Sequence, residues 1–89
     1  MGMIHYFKTD PEPFTAVWLE LKRAEYRRCN DRPVPAPGHT MVLREWDNDY
    51  TGREVICKVT HVQKDYLPEG WFMLSFIPRR FLDVGDVDV

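Results

Sequence analysis

Asp10-Pro11-Glu12-Pro13-Phe14-Thr15-Ala16-Val17-Trp18-Leu19-Glu20-Leu21 is the stretch whose periodicity decides the fold. Phe14, Val17, Trp18 and Leu21 recur at i, i+3, i+4 and i+7, one face of an amphipathic helix. Asp10 reads as the N-cap and Pro11 as the first helical residue, where a missing N–H costs nothing. Pro13 fits the same first turn. The spacing predicts a helix over 11–21. Outward from it the pattern changes to alternation. Before it, 3–8 is short, apolar and aromatic and reads as a strand. After it, 23–29 alternates, with Ala24 and Tyr26 on one side and Arg23, Glu25 and Arg27 on the other. As a strand it puts Tyr26 in the core and Glu25 and Arg27 together on the opposite face.

Further along, 30–38 holds three of the seven prolines and is irregular. A strand over 40–46 turns Met41 and Leu43 inward. Asp47 to Gly52 is rich in turn residues and reads as a hairpin loop. A long strand over 54–62 follows, with Val55, Cys57 and Val59 inward. The apolar run 71–77 reads as a central strand covered on both sides, ended by Pro78. One helix among five strands points to α+β: a small pseudo-β-barrel capped by the helix. We expect one domain over 1–78, followed by a loosely held acidic tail over 79–89 that carries Asp83, Asp86 and Asp88.

Composition narrows the class. At 89 residues there is room for one small domain. A chain this short buries only about 60–65% of its unfolded surface. Apolar residues at 44% argue against disorder, and a net charge of −2 argues against a polycation that coats nucleic acid indiscriminately. No run approaches a membrane span and the N-terminus lacks a secretory pattern, so the expected location is cytoplasmic. Cys29 and Cys57 are too few for a disulfide scaffold, and Cys57 reads as a buried small apolar residue. His5, His39 and His61 lie far apart, with no metal-ligand spacing. We expect no metal and no cofactor.

Charge is segregated. Lys22, Arg23, Arg27, Arg28 and Arg32 face only Glu25 and Asp31, so 22–32 carries +3 in a chain that is −2 overall. Such a segment can form a local anion site, although a solvated strand edge carries similar charges. A carboxylate and a guanidinium two apart on one strand face can pair, which fixes the orientation of the Arg fork. Asn30, Asp31 and Arg32 add amide, carboxylate and guanidinium groups from the adjoining loop. Together they have the chemistry to read a base edge and hold a phosphate. Trp46 and Tyr50 are candidates for base stacking, with closure of the core as the other role for Trp46.

These residues carry a resemblance. His5-Tyr6-Phe7-Lys8-Thr9, Pro13-Phe14, Lys22-Arg23-Ala24-Glu25-Tyr26-Arg27, Asn30-Asp31-Arg32, Leu43-Arg44-Glu45 and Thr51-Gly52-Arg53 are similar, in order, to motifs of the ASCH-domain superfamily. The nearest likeness is to its short bacterial and phage members. The chain departs from the pattern at Arg28-Cys29, where relatives carry one residue, and at Pro37-Gly38-His39, where they carry V-G-D. The resemblance covers about 3–77 and implies a PUA-like fold with a cleft beside the first helix. Carried over, that cleft is lined by Lys8, Lys22, Glu25, Arg27, Asn30, Asp31 and Arg32, with Arg44 and Glu45 as secondary candidates.

The resemblance further implies a module that binds RNA or a modified nucleotide. One alternative is a hydrolase, either a ribonuclease or an enzyme like the superfamily's acetylcytidine amidohydrolases. Lys22 and Glu25 would be its catalytic candidates, with Glu25 standing where those enzymes have a threonine nucleophile. A third reading is a phage-type factor that engages a host protein through 79–89.

Overall fold

The computed structural model describes residues 2–79. The proposed tail docking over 79–89 therefore falls, beyond Arg79, outside the described residues. Five strands and one helix follow in the order β1 (Ile4–Thr9), α1 (Pro11–Trp18), β2 (Ala24–Arg28), β3 (Thr40–Trp46), β4 (Tyr50–Gln63) and β5 (Trp71–Pro78). All five strands form a single sheet in the order β1-β3-β4-β5-β2. β1 runs parallel to β3, with Phe7 opposite Leu43, and the other neighbours are antiparallel. The sheet curls into a half-barrel, so the fold is α+β. Its edges, β1 and β2, approach each other without pairing their backbones, and the molecule's chemistry gathers at that open seam.

The core lies between the concave face and α1. Phe14 and Val17 from the helix meet Phe7, Met41, Leu43, Val55, Cys57, Val59, Leu74 and Phe76 from the sheet. The alternation expected for β4 is observed, and Met41 and Leu43 of β3 are buried as expected, but Val42 between them is buried too. Cys57 is buried and reduced, as is Cys29.

Four local expectations change. The helix stops at Trp18, not Leu21. Glu20 takes a left-handed φ of 68°, while Leu21 N–H donates to Ala16 and Glu20 N–H donates to Val17. That pair of bonds is a Schellman closure, and it throws Leu21 into solvent. Asp10 sits at the N-cap without a side-chain hydrogen bond, so the proline rings and the Phe14 N–H bond to the Asp10 carbonyl define the start.

The second change is the turn after β3. It is confined to Asp47–Asp49, because Tyr50 already pairs with Trp46 and β4 begins there. Third, β5 is internal to the sheet, but only one face is fully covered. Leu74, Phe76 and Pro78 are buried, whereas Met73, Ser75 and Ile77 are half-buried.

The fourth change is at β2, whose faces are reversed. Glu25 is 5% exposed and Tyr26 57%. Alternation groups Glu25 with Arg27 correctly, yet it is silent about which group turns inward. The reversal follows from the seam, where an inward Arg27 satisfies acceptors on β1 that no neighbouring strand reaches.

Candidate functional site

β1 is an edge strand, and the carbonyls on its outer edge need donors. Two arginines supply them. Arg27 Nη1 donates to the Lys8 carbonyl at 2.9 Å, and Nη2 donates to Thr9 Oγ1 at 2.9 Å. Its Nε donates to Glu25 Oε2 at 2.9 Å. From the 30–38 loop, Arg32 Nη1 donates to the Tyr6 carbonyl at 3.0 Å. Both guanidinium groups lie beside the Phe7 ring, at 5.0 and 4.7 Å from its centre. Side chains thus close the seam where a sixth strand would otherwise be needed. Arg27, expected to contact a ligand, has all three nitrogens engaged within the protein.

Outside this closure lies a groove of about 640 Å³. β1 contributes Tyr6 and Lys8, β2 Tyr26 and Arg28, the 30–38 loop Asp31 and Arg32, and the remaining strands Arg44, Tyr50 and Trp71. Alternation along β1 and β2 turns Tyr6, Lys8, Tyr26 and Arg28 outward. The cations are held by rings. Lys8 Nζ sits 3.9 Å from the centre of the Trp46 ring, and the Arg44 guanidinium lies 5.3 and 5.1 Å from Tyr6 and Tyr50. Arg44 also reaches Glu54 at 3.5 Å. Trp46 meets Tyr50 edge-on with ring centres 4.8 Å apart, so it supports the Lys8–Tyr50 wall.

A smaller recess of about 280 Å³ adjoins the groove and shares Lys8, Tyr26 and Arg27 with it. Thr9, Asp10 and Pro13 at the start of α1 close one side, and Lys22 and Glu25 the other. Glu25 gives Oε2 to Arg27, while Lys22 Nζ stands 3.6 Å from Oε1.

Lys8, Lys22, Glu25, Arg27, Asp31, Arg32 and Arg44 are therefore brought together, but Asn30 and Glu45 are not among them. Asn30 lies beyond the groove in a shallow hollow with Arg28 and Asp31. Its amide oxygen, oriented as its neighbours require, accepts from Arg28 Nε and Nη2 at 2.7 and 2.9 Å. Asn30 packs over Gly70 so closely that a Cβ there would fall on the amide.

Glu45 faces the opposite side of the sheet and is buried. It accepts from Arg53 Nε and Nη2 at 3.0 and 2.9 Å and from Thr51 Oγ1 at 2.7 Å. These bonds, the Arg53 one first, hold the Glu45 carboxyl below its usual range. Arg53 in turn lies about 5 Å from the Phe14 and Trp18 rings. Glu45 therefore fastens the sheet to α1. Reading the order of motifs could not separate it from Arg44, its neighbour on the other face.

Sequence reasoning missed Tyr6, Tyr26 and Trp71, and it counted Arg28 in the cationic segment without placing it in the cleft. The signal for Tyr6 was present, since it alternates with the buried His5 and Phe7. Tyr26 was hidden by the reversed β2. Trp71, in register with Arg28, joins the groove through β2–β5 pairing alone.

Beneath the loop, His5 and His39 are brought together, with Nε2 and Nδ1 2.9 Å apart and their rings stacked. Ala36 N–H also donates to His39 Nδ1, so that nitrogen is the acceptor and His5 Nε2 carries the proton. Burial first, then His39 and Arg32, holds the His5 pKa below its ordinary value. Burial likewise pushes the Cys29 thiol up. Among the described residues, no three His, Cys, Asp or Glu side chains converge as a metal site. No helix among them is long and apolar enough to cross a membrane.

Fold and site together define a small α+β domain, a curled five-stranded sheet whose side-chain-closed seam carries a cationic, ring-lined groove on its outside. The chain belongs to a family described as a domain of unknown function (DUF3850), whose model matches residues 4–76. No curated protein matches it.

Proposed function

We propose that this protein is a PUA-like module of the ASCH type that binds RNA, or a single nucleotide, in the seam groove. One observation carries the reading: the charge and ring content of the groove. Lys8, Arg27, Arg28, Arg32 and Arg44 line it with Asp31, and counting Glu25 and Glu54, which pair with Arg27 and Arg44, the local balance is still +2 in a chain of net −2. Tyr6, Tyr26, Tyr50 and Trp71 stand exposed among those cations. Phosphate needs the charge and unpaired bases need the rings. A surface shaped only for solubility would mix the signs and bury the rings. The order of ASCH-like motifs along the chain adds support.

The test is fluorescence anisotropy with a short mixed-sequence single-stranded RNA, from about 50 to about 200 mM salt. Wild type is expected to bind, with log affinity falling linearly against log salt. Lys8→Ala and Arg44→Ala should each weaken binding and reduce the slope by about 0.7 for each phosphate that is no longer neutralised. Equal affinity and slope in wild type and both variants would overturn the reading. Intact RNA at the end of the titration would mark a binder, and cleaved RNA a hydrolase.

A further inference from the structure

Holding Arg27 across the seam requires one oxygen of Glu25, and Oε2 serves that purpose. Oε1 has no hydrogen-bond partner and is closed off from solvent, although it belongs to a residue that lines the recess beside the groove. Buried carboxylate oxygens are ordinarily satisfied, so an unused one at a recess wall marks a place for a donor. Lys22 Nζ pairs with Oε1 at 3.6 Å, beyond hydrogen-bond length. The Lys22 side chain is 36% exposed, free to swing aside and let another donor approach.

Charge limits what that donor is. The recess holds Lys8, Lys22 and Arg27 against Asp10 and Glu25, a mixed set in place of the groove's run of cations. A phosphate there would meet the Glu25 carboxylate and be repelled. A neutral group that offers an N–H beside an acceptor satisfies both Glu25 and Lys22. Lys8, Tyr26 and Arg27 line both recess and groove, so a group in the recess is continuous with a strand held in the groove.

We infer that the recess takes the Watson–Crick edge of one unpaired nucleobase, with Glu25 Oε1 accepting its N–H and Lys22 donating to the adjacent acceptor. The inference rests on the groove reading above and deepens it. All four RNA bases present an N–H next to an acceptor on that edge, so the site senses whether a base is paired more than which base it is. In a duplex that edge is consumed, and the ligand is therefore a single strand, a loop or a bulge.

The experiment compares a short uridine oligomer, the same oligomer built from N3-methyluridine, and a fully paired duplex, each titrated into the full chain. Methylation removes the N–H and leaves the phosphates and rings intact. The methylated oligomer and the duplex are each expected to bind about tenfold more weakly or worse, the size of a lost charge-assisted hydrogen bond. In Glu25→Gln the amide oxygen remains for Arg27 and its NH₂ group faces the recess, so the preference for uridine over N3-methyluridine should vanish. Equal binding of both oligomers to wild type would overturn this inference and leave the groove reading standing. Absence of binding by every RNA would overturn both. The wild-type comparison depends on no variant folding.

Discussion

Replacing Arg27 by alanine removes the donor that joins the edges of the half-barrel. It leaves the Lys8 carbonyl, Thr9 Oγ1 and Glu25 Oε2 without their partner. The side chains of Arg27 and Glu25 are 20% and 4% exposed, so solvent screens their pairing only weakly. Deleting one partner of such a pair costs about 3–5 kcal/mol where the remaining charge is left alone, and here Lys22, 3.6 Å from the other oxygen of Glu25, compensates part of it. The partial exposure of Arg27 favours the lower end. A domain of this size is stable by about 4–13 kcal/mol in total, so the variant should be marginal. At about 4–8 °C per kcal/mol, its Tm should fall by at least about 12 °C. Urea unfolding followed by the fluorescence of the three tryptophans gives the free energy directly. Arg27→Lys should recover only part of the loss, since an ammonium cannot span three acceptors in a plane. In a Glu25→Gln background Arg27→Ala should cost less than in wild type. A loss below about 1 kcal/mol for Arg27→Ala in wild type would refute the closure and return Arg27 to the set of residues free to hold a ligand.

Two further outcomes follow from the geometry. His5 is held neutral in the fold, so between its depressed native pKa and the ordinary value near 6.5 the unfolded chain binds a proton that the folded one refuses. The stability this contributes is present above about pH 6.5 and is lost as pH falls toward the native pKa; the urea midpoint should drop across that window, and His5→Gln should flatten the drop. Glu20→Gly removes the strain of a left-handed side-chain residue at the helix end and should raise stability by up to about 1 kcal/mol, whereas an unchanged or lower urea midpoint would show that the Schellman turn is unstrained.

The sequence by itself determined the class, the order of elements and most of the core. Helical spacing at Phe14 and Val17, and alternation through Met41, Leu43, Val55, Cys57 and Val59, are local signals of burial, and each of these residues is buried. The cationic segment 22–32 was legible because charge segregation needs no coordinates to detect. Helix length was not, because Leu21 kept the apolar spacing while the backbone had already turned at Glu20.

Only the tertiary structure decided which face of β2 turns inward. Period-2 alternation has two solutions of equal local quality, and the free acceptors of β1, nearly twenty residues away, select the one that buries Glu25 and exposes Tyr26. The same closure turns Arg27 into a fastener, gathers Tyr6, Tyr26, Tyr50 and Trp71 from four strands into one groove, and leaves Glu25 Oε1 without a hydrogen-bond partner. Such features arise between segments that are distant in sequence. A reading confined to neighbours along the chain identifies the residues that share a face but not what that face meets.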